Sequence, residues 1–179
     1  MENGNVQNIL VKECIFEAFM ILLANKNFND ISITEITNKA GVSRMAYYRN
    51  YSSKEEIIHD HLNELILHFL NEFENKDSVT PYQKAKTFFC FFRHHKILLD
   101  NLIKSNVTYI LLEHLEKNIH PLLQASSLEL AKNTVEAKYK AHFIAGGLFQ
   151  ILIEWCKNNM LESDDQMAQL TMDFILVKH

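Results

Sequence analysis

Apolar residues recur at helical spacing along most of the chain, and polar interruptions divide the pattern into segments. Val6, Leu10, Cys14, Ile15, Ala18, Phe19, Leu22 and Leu23 predict a first helix that stops near Asn25-Lys26-Asn27. Ser32-x-x-Glu35 is a capping box, and it opens a short helix lined by Ile33, Ile36 and Ala40. Gly41 ends that helix, because glycine accepts positive φ without steric cost. Ser43 caps a third helix running from Arg44 to about Asn50. A second box, Ser53-x-x-Glu56, opens a longer helix through Ile57, Ile58, Leu62, Leu65, Ile66, Phe69 and Leu70. The stretch from Glu72 to Thr80 is polar and is the best place for a change of substructure.

Thr80-Pro81, a cap followed by a first-turn proline, restarts the helical pattern. Phe88, Phe89, Phe91 and Phe92 crowd the next helix, and Arg93-His94-His95 marks a break. Further helices are predicted over Ile97–Ile103 and from Val107 onward, the latter to kink or restart at Pro121. Asn133-x-x-Glu136 caps a long helix reaching about Asn158, and Ser163-x-x-Gln166 caps a last one through Leu170, Phe174 and Val177. No strand-length alternation with turn punctuation interrupts the series. The predicted class is all-α.

Composition narrows this further. With 47% apolar residues in 179 the chain can build a substantial core, and with 4 Gly and 2 Pro it is neither collagen-like nor a turn-dense all-β protein. The longest apolar run, Ala18 to Ala24, is far too short to span a membrane. The opening residues lack a basic and apolar leader, so a cytoplasmic protein without membrane contact is the expectation. Cys14, Cys90 and Cys156 are odd in number and scattered, which suggests no disulfide framework. Nine histidines include no H-x-x-x-H pair, and no nucleophile elbow, P-loop or framed carboxylate pair occurs. No metal, no cofactor and no enzymatic activity are expected.

Charge is the informative feature. The net charge is −4, so any nucleic-acid contact must be local. From Lys39 to Lys54 the chain carries four cations, Lys39, Arg44, Arg49 and Lys54, and no acid, with Tyr47, Tyr48 and Tyr51 between them. Two short helices joined at a glycine, the second cationic and aromatic, form the pattern of a helix-turn-helix. A helix entering the major groove needs outward side chains suited to phosphates and base edges. Arg44 can pair with guanine or phosphate, Met45 and Ala46 can face bases, and Tyr48 can reach a phosphate. Ser32 and Lys54 stand at helix starts, where backbone N–H groups favour phosphate. Tyr47 and Tyr51 suit the small core of this head as well as they suit DNA.

Residues 36–55 read ITNKAGVSRMAYYRNYSSKE. This closely resembles the TetR/AcrR family of bacterial transcription regulators, whose signature is roughly I-A-x-x-A-G-V-S-[KR]-G-T-[LF]-Y-x-[HY]-F-x-[SD]-K-E. Ala40, Gly41, Val42, Ser43, Arg44, Tyr48, Ser53, Lys54 and Glu55 match, within a resemblance covering about residues 8–60. Thr37, Met45, Ala46, Tyr47 and Tyr51 depart from it, so an operator sequence does not carry over. The resemblance implies a DNA-binding head at 1–52, with the helix-turn-helix at about 32–51. It also implies a regulatory and dimerising body at 53–179, joined through a connecting helix at 53–71. The DNA-contacting set is then Ser32, Ser43, Arg44, Met45, Ala46, Tyr48, Arg49 and Lys54, on a palindromic operator, with repression as the family habit. The segment from His142 to Asn159 is weakly similar to a subgroup that includes regulators of dihydroxyacetone-kinase operons. Some members of that subgroup answer to a partner protein, so a small-molecule and a protein effector both stay open.

In the body, the helix around His142–Asn159 is apolar nearly all round and needs two neighbours to cover it. A homodimer face at Gly146, Gly147, Phe149, Trp155 and Phe174 is the expectation, against a wholly internal helix. Phe88 and Phe92, with His95, Tyr109 and His142 as polar partners, are the candidate ligand pocket, against simple core packing. Two other readings compete with the regulator. One is a helical interaction module, or a partner-dependent activator, whose head binds DNA weakly or not at all. The other is an enzyme using the Phe-lined body.

Overall fold

A computed structural model describes residues 2–74, 80–124 and 134–175. Among these residues the elements are α1 (Glu2–Leu23), a 3-10 turn (Phe28–Asp30), α2 (Ile33–Ala40), α3 (Arg44–Asn50) and α4 (Lys54–Glu74). They continue as α5 (Pro81–His94), α6 (Lys96–Lys104), α7 (Tyr109–Gln124), α8 (Thr134–Lys157) and α9 (Asp164–Ile175). The all-α class and the predicted order of helices both hold.

Capping explains the boundaries. At α2 the Ser32 hydroxyl accepts the Glu35 N–H while the Glu35 carboxylate accepts the Ser32 N–H. Thr80 and Gln83 repeat this at α5 behind Pro81, and Ser163 with Gln166 repeats it at α9. At α4 the expected box is shifted. The Ser53 hydroxyl accepts the Glu56 N–H, but the Glu56 carboxylate turns to the N–H and hydroxyl of Ser52, which together offer two donors. These bonds hold the Glu56 carboxyl below its usual range. Helix α7 passes through Pro121 to Gln124 instead of restarting there. Asn133 and Val177, the expected cap of α8 and end of α9, lie outside the described residues.

One continuous core joins head and body. Ile15, Phe19 and Leu23 of α1 share it with Ile36, Tyr47, Ile57 and Ile58 on one side and with Phe89, Leu99 and Trp155 on the other. The crowded phenylalanines of α5 belong to this core. Phe88 lies 4.8 Å from Phe92 between ring centroids, and Phe89 meets Trp155 edge-to-face at 5.4 Å. Such aromatic pairs add about 0.5–1.5 kcal/mol beyond the area they bury.

The α8–α9 corner is tight. Asn159 and Met160 both take left-handed backbone, at φ 57° and 53°. Arg93 of α5 anchors that corner by donating to Asp164 Oδ1 and to the carbonyls of Met160 and Glu162, with its guanidinium 4.6 Å from the Trp155 ring. Trp155 Nε1 donates to the same Glu162 carbonyl at 3.2 Å.

Candidate nucleic-acid interface

The turn between α2 and α3 is built by main-chain bonds. The Val42 N–H reaches back to the Thr37 carbonyl at 3.0 Å and the Gly41 N–H to the Asn38 carbonyl at 3.3 Å, the pairing of a Schellman motif. It requires Gly41 at φ 67°. A Cβ placed there would meet nothing within 4 Å, so the requirement is one of backbone conformation and not of space. Thr37, a departure from the family pattern, is buried and satisfies its hydroxyl on the Thr34 carbonyl.

Helix α3 starts at Ser43, whose hydroxyl accepts the Ala46 N–H at 3.0 Å. Its seven residues then sort by face. Tyr47 is fully buried and Tyr51, just beyond the helix, is 4% exposed; their rings pack 5.8 Å apart in the core. Burial pushes the Tyr47 phenol up to about 12. The Tyr51 hydroxyl donates to Asp60 of α4, which also pairs with Lys12 of α1, so the end of α3 is tied to both helices. Outward stand Arg44, Met45, Tyr48 and Arg49, with Met45 77% exposed. Arg44 lies along its i+4 neighbour, its guanidinium 3.4 Å from the Tyr48 hydroxyl. A cationic guanidinium and a phenol thus share one patch, suited to bidentate recognition of a phosphate or a guanine edge.

Ser32 and Lys54 occupy the expected helix starts but are engaged within the chain. Ser32 is bound up in its capping box, and Glu35 also pairs with Lys26. Lys26 and then Ser32 hold the Glu35 carboxyl down at about 2. Lys54 Nζ donates to the carbonyls of Phe28 and Ile31 at 2.6 and 2.7 Å and lies over the Phe28 ring. Burial lowers its pKa, and one of its three N–H donors is left over. Lys54 therefore fastens the 3-10 turn to the start of α4. That role is invisible in the sequence, because the two carbonyls lie more than twenty residues away.

In the body the five candidate pocket residues fall in different surroundings. Phe88 and Phe92 are packed into the core. His95 is half-buried against Phe91, 4.6 Å between ring centroids. Tyr109 is 48% exposed beside the 3-10 turn, and His142 is exposed on α8, 3.4 Å from Glu116. A cleft that spacing did not indicate opens between α1 and α4. It holds a volume of about 330 Å³ and is lined by Lys12, Phe16, Tyr51, Asp60, His61 and Glu64 among others. His61 stacks on Phe16 at 3.5 Å, and burial, with the nearby His95, pushes its imidazole down to about 4. The candidate dimer face divides as well. Phe174 and Gly147 are exposed, Gly146 and Phe149 half-buried. Trp155 was expected on that face and lies instead in the core, 2% exposed, because Phe89, Arg93 and the Glu162 carbonyl enclose it. The exposed apolar stripe of α8 runs earlier, through Val135, Tyr139 and Phe143, and Leu170 and Phe174 of α9 are exposed with it.

A helix-turn-helix sharing a core with a larger helical body is an architecture of transcription regulators. A family model described as "Transcriptional regulator C-terminal region", of the TetR group, matches residues 79–176, more than half of the chain. The chain belongs to the TetR family of transcriptional regulators. Solved structures agree on the fold. A TetR transcriptional regulator from Streptococcus agalactiae is similar with TM-score 0.69 and 18% identity, over 97% of this chain and 98% of that one. The dihydroxyacetone kinase operon activator DhaS is similar with TM-score 0.60 and 16% identity, over 94% and 96%. FadR from Bacillus subtilis, solved in complex with stearoyl-CoA, is similar with TM-score 0.61 and 17% identity, over 92% and 97%. No curated protein matches the chain in sequence. Among the described residues no helix is long and apolar enough to cross a membrane.

Proposed function

We propose that this chain is a homodimeric, sequence-specific DNA-binding repressor, switched by an effector bound to its body. The observation that carries the reading is the sorting of α3: Arg44, Met45, Tyr48 and Arg49 outward, Tyr47 and Tyr51 inward. Ser43 and Ala46 complete the surface presented to the groove, and Ser32 and Lys54 flank it. Residues 1–52 are assigned to the DNA head, 53–179 to the body, and α4 to the connection. The stripe of Val135, Tyr139, Phe143 and Gly147 on α8, with Leu170 and Phe174 on α9, is assigned to the partner copy. The two-fold axis then sets the recognition helices at successive major grooves, about 34–36 Å apart. An effector acts by preferring a dimer in which that spacing is wrong.

The test is binding to the DNA immediately upstream of the protein's own coding region, with competitor, at two salt concentrations. Specific, salt-sensitive binding lost in an Arg44→Ala, Tyr48→Ala double variant is the expected result. Failure there and in a random-sequence selection overturns the reading. Activation is the second reading, favoured by the similarity to an operon activator. A reporter assay with the intact operator distinguishes the two signs.

A further inference from the structure

Two histidines meet where the connecting helix touches the body. His59 of α4 places Nδ1 3.0 Å from Nε2 of His114 on α7, with the rings tilted by 45°. His114 is 4% exposed, and its Nδ1 is buried without a partner among the described residues. On the far side of His59, Nε2 lies 4.0 Å from the Glu113 carboxylate.

These contacts assign the protons. Glu113 favours a proton on His59 Nε2, which leaves Nδ1 of that ring a lone pair. The proton between the rings must then belong to His114 Nε2. His114 Nδ1 is consequently a lone pair as well, in a place no donor reaches. Only while both rings are neutral is no N–H of the pair left buried without an acceptor.

A further proton has no good position. On His59 Nδ1 it confronts the N–H of His114 across 3.0 Å. Moving the His114 proton to its own Nδ1 relieves that conflict but buries an N–H with no acceptor, which is costly. Protonating His114 directly buries an unpaired cation. The surroundings do not rescue it: Glu56 on α4 and Glu113 on α7 act on His59, while Lys117 on α7 opposes charge on His114. On α8, which packs against α7, His142 is engaged with Glu116. The remaining cheap response is to separate the rings.

We propose that His59 and His114 form a proton-controlled latch, in which neutral rings hold α4 against α7 and proton uptake releases the connecting helix from the body. Burial, with His59 and Lys117, pushes the His114 imidazole from its ordinary 6.5 down to about 4. The unfolded chain therefore binds more protons than the folded one in that interval. The latch is complete above about pH 6.5 and is lost as the pH falls toward about 4.

The test uses hydrogen exchange of the full chain at pH 7.5 and pH 5, corrected for intrinsic rates. His59→Asn keeps an acceptor near Nδ1 and His114→Gln keeps a donor near Nε2, so the double variant retains the bond but cannot titrate. In the wild type, peptides of α4 and α7 are expected to exchange about tenfold faster at the lower pH, with little change in the double variant. An equal acceleration in both proteins, or none in the wild type, overturns the latch. A variant at exposed His142 must keep the wild-type response. Should the double variant fail to fold, ring-nitrogen NMR of the wild type decides: Nε2–H on both rings at neutral pH is expected, and a neutral-pH proton on His114 Nδ1 overturns the assignment.

Only the consequence for DNA rests on the proposed function. Affinity falling with acid in the wild type but not in the double variant extends the latch to operator release. No DNA binding at either pH breaks the proposed function and leaves the exchange data to judge the latch.

Discussion

The head and the body of this protein expose their chemistry in different ways. In the head, Arg44, Met45, Tyr48 and Arg49, the core of the proposed DNA surface, are exposed on one short helix whose Tyr47 is buried. In the body, the candidate pocket residues scatter: Phe88 and Phe92 lie in the core, while Tyr109 at the start of α7 and His142 on α8 are exposed. A site carried by one helix is organised by local geometry. A site carried by several is organised by how those helices pack.

Breaking the body at its centre gives the largest expected effect. Trp155→Ala should cost about 3–5 kcal/mol of stability, read by urea unfolding, since it empties a core position. Phe143→Glu should leave the unfolding midpoint of the monomer nearly unchanged and instead weaken self-association in sedimentation equilibrium. If Trp155→Ala proved harmless to folding and disruptive to association, the division between core and dimer face would be reversed. In the head, Arg44→Ala should cost about 1–3 kcal/mol of operator affinity, measured by titration at fixed salt, with no loss of stability. A matching loss of stability would mean that Arg44 acts through the fold.

Smaller effects sharpen the same contrast. Gly41→Ala forces a side chain into left-handed backbone and should cost about 1–2 kcal/mol, seen as a lowered melting temperature. Tyr47→Phe should be neutral or stabilising by about 1 kcal/mol, because the Tyr47 hydroxyl is buried with no partner among the described residues. Destabilisation by Tyr47→Phe would reveal a partner for that hydroxyl, one that the packing of the head does not suggest.

The capping signals at Ser32, Thr80 and Ser163 were legible because each satisfies a neighbour three residues away. The box at Ser53 was half legible: its hydroxyl caps as expected, while the carboxylate chose the two donors of Ser52 over one. The role of Lys54 was not legible, since its carbonyl partners arrive from a distant turn. Nor was the meeting of His59 with His114, whose ring nitrogens are brought together across 55 positions by the packing of α4 on α7.

The sequence alone thus determined the helices and the glycine turn at Gly41, because capping, hydrogen bonding and side-chain period act over three or four residues. The tertiary structure decided which side of α8 is core, where Trp155 belongs and which histidines touch. Those outcomes depend on crossing positions of helices far apart in the chain, and local periodicity carries no information about them.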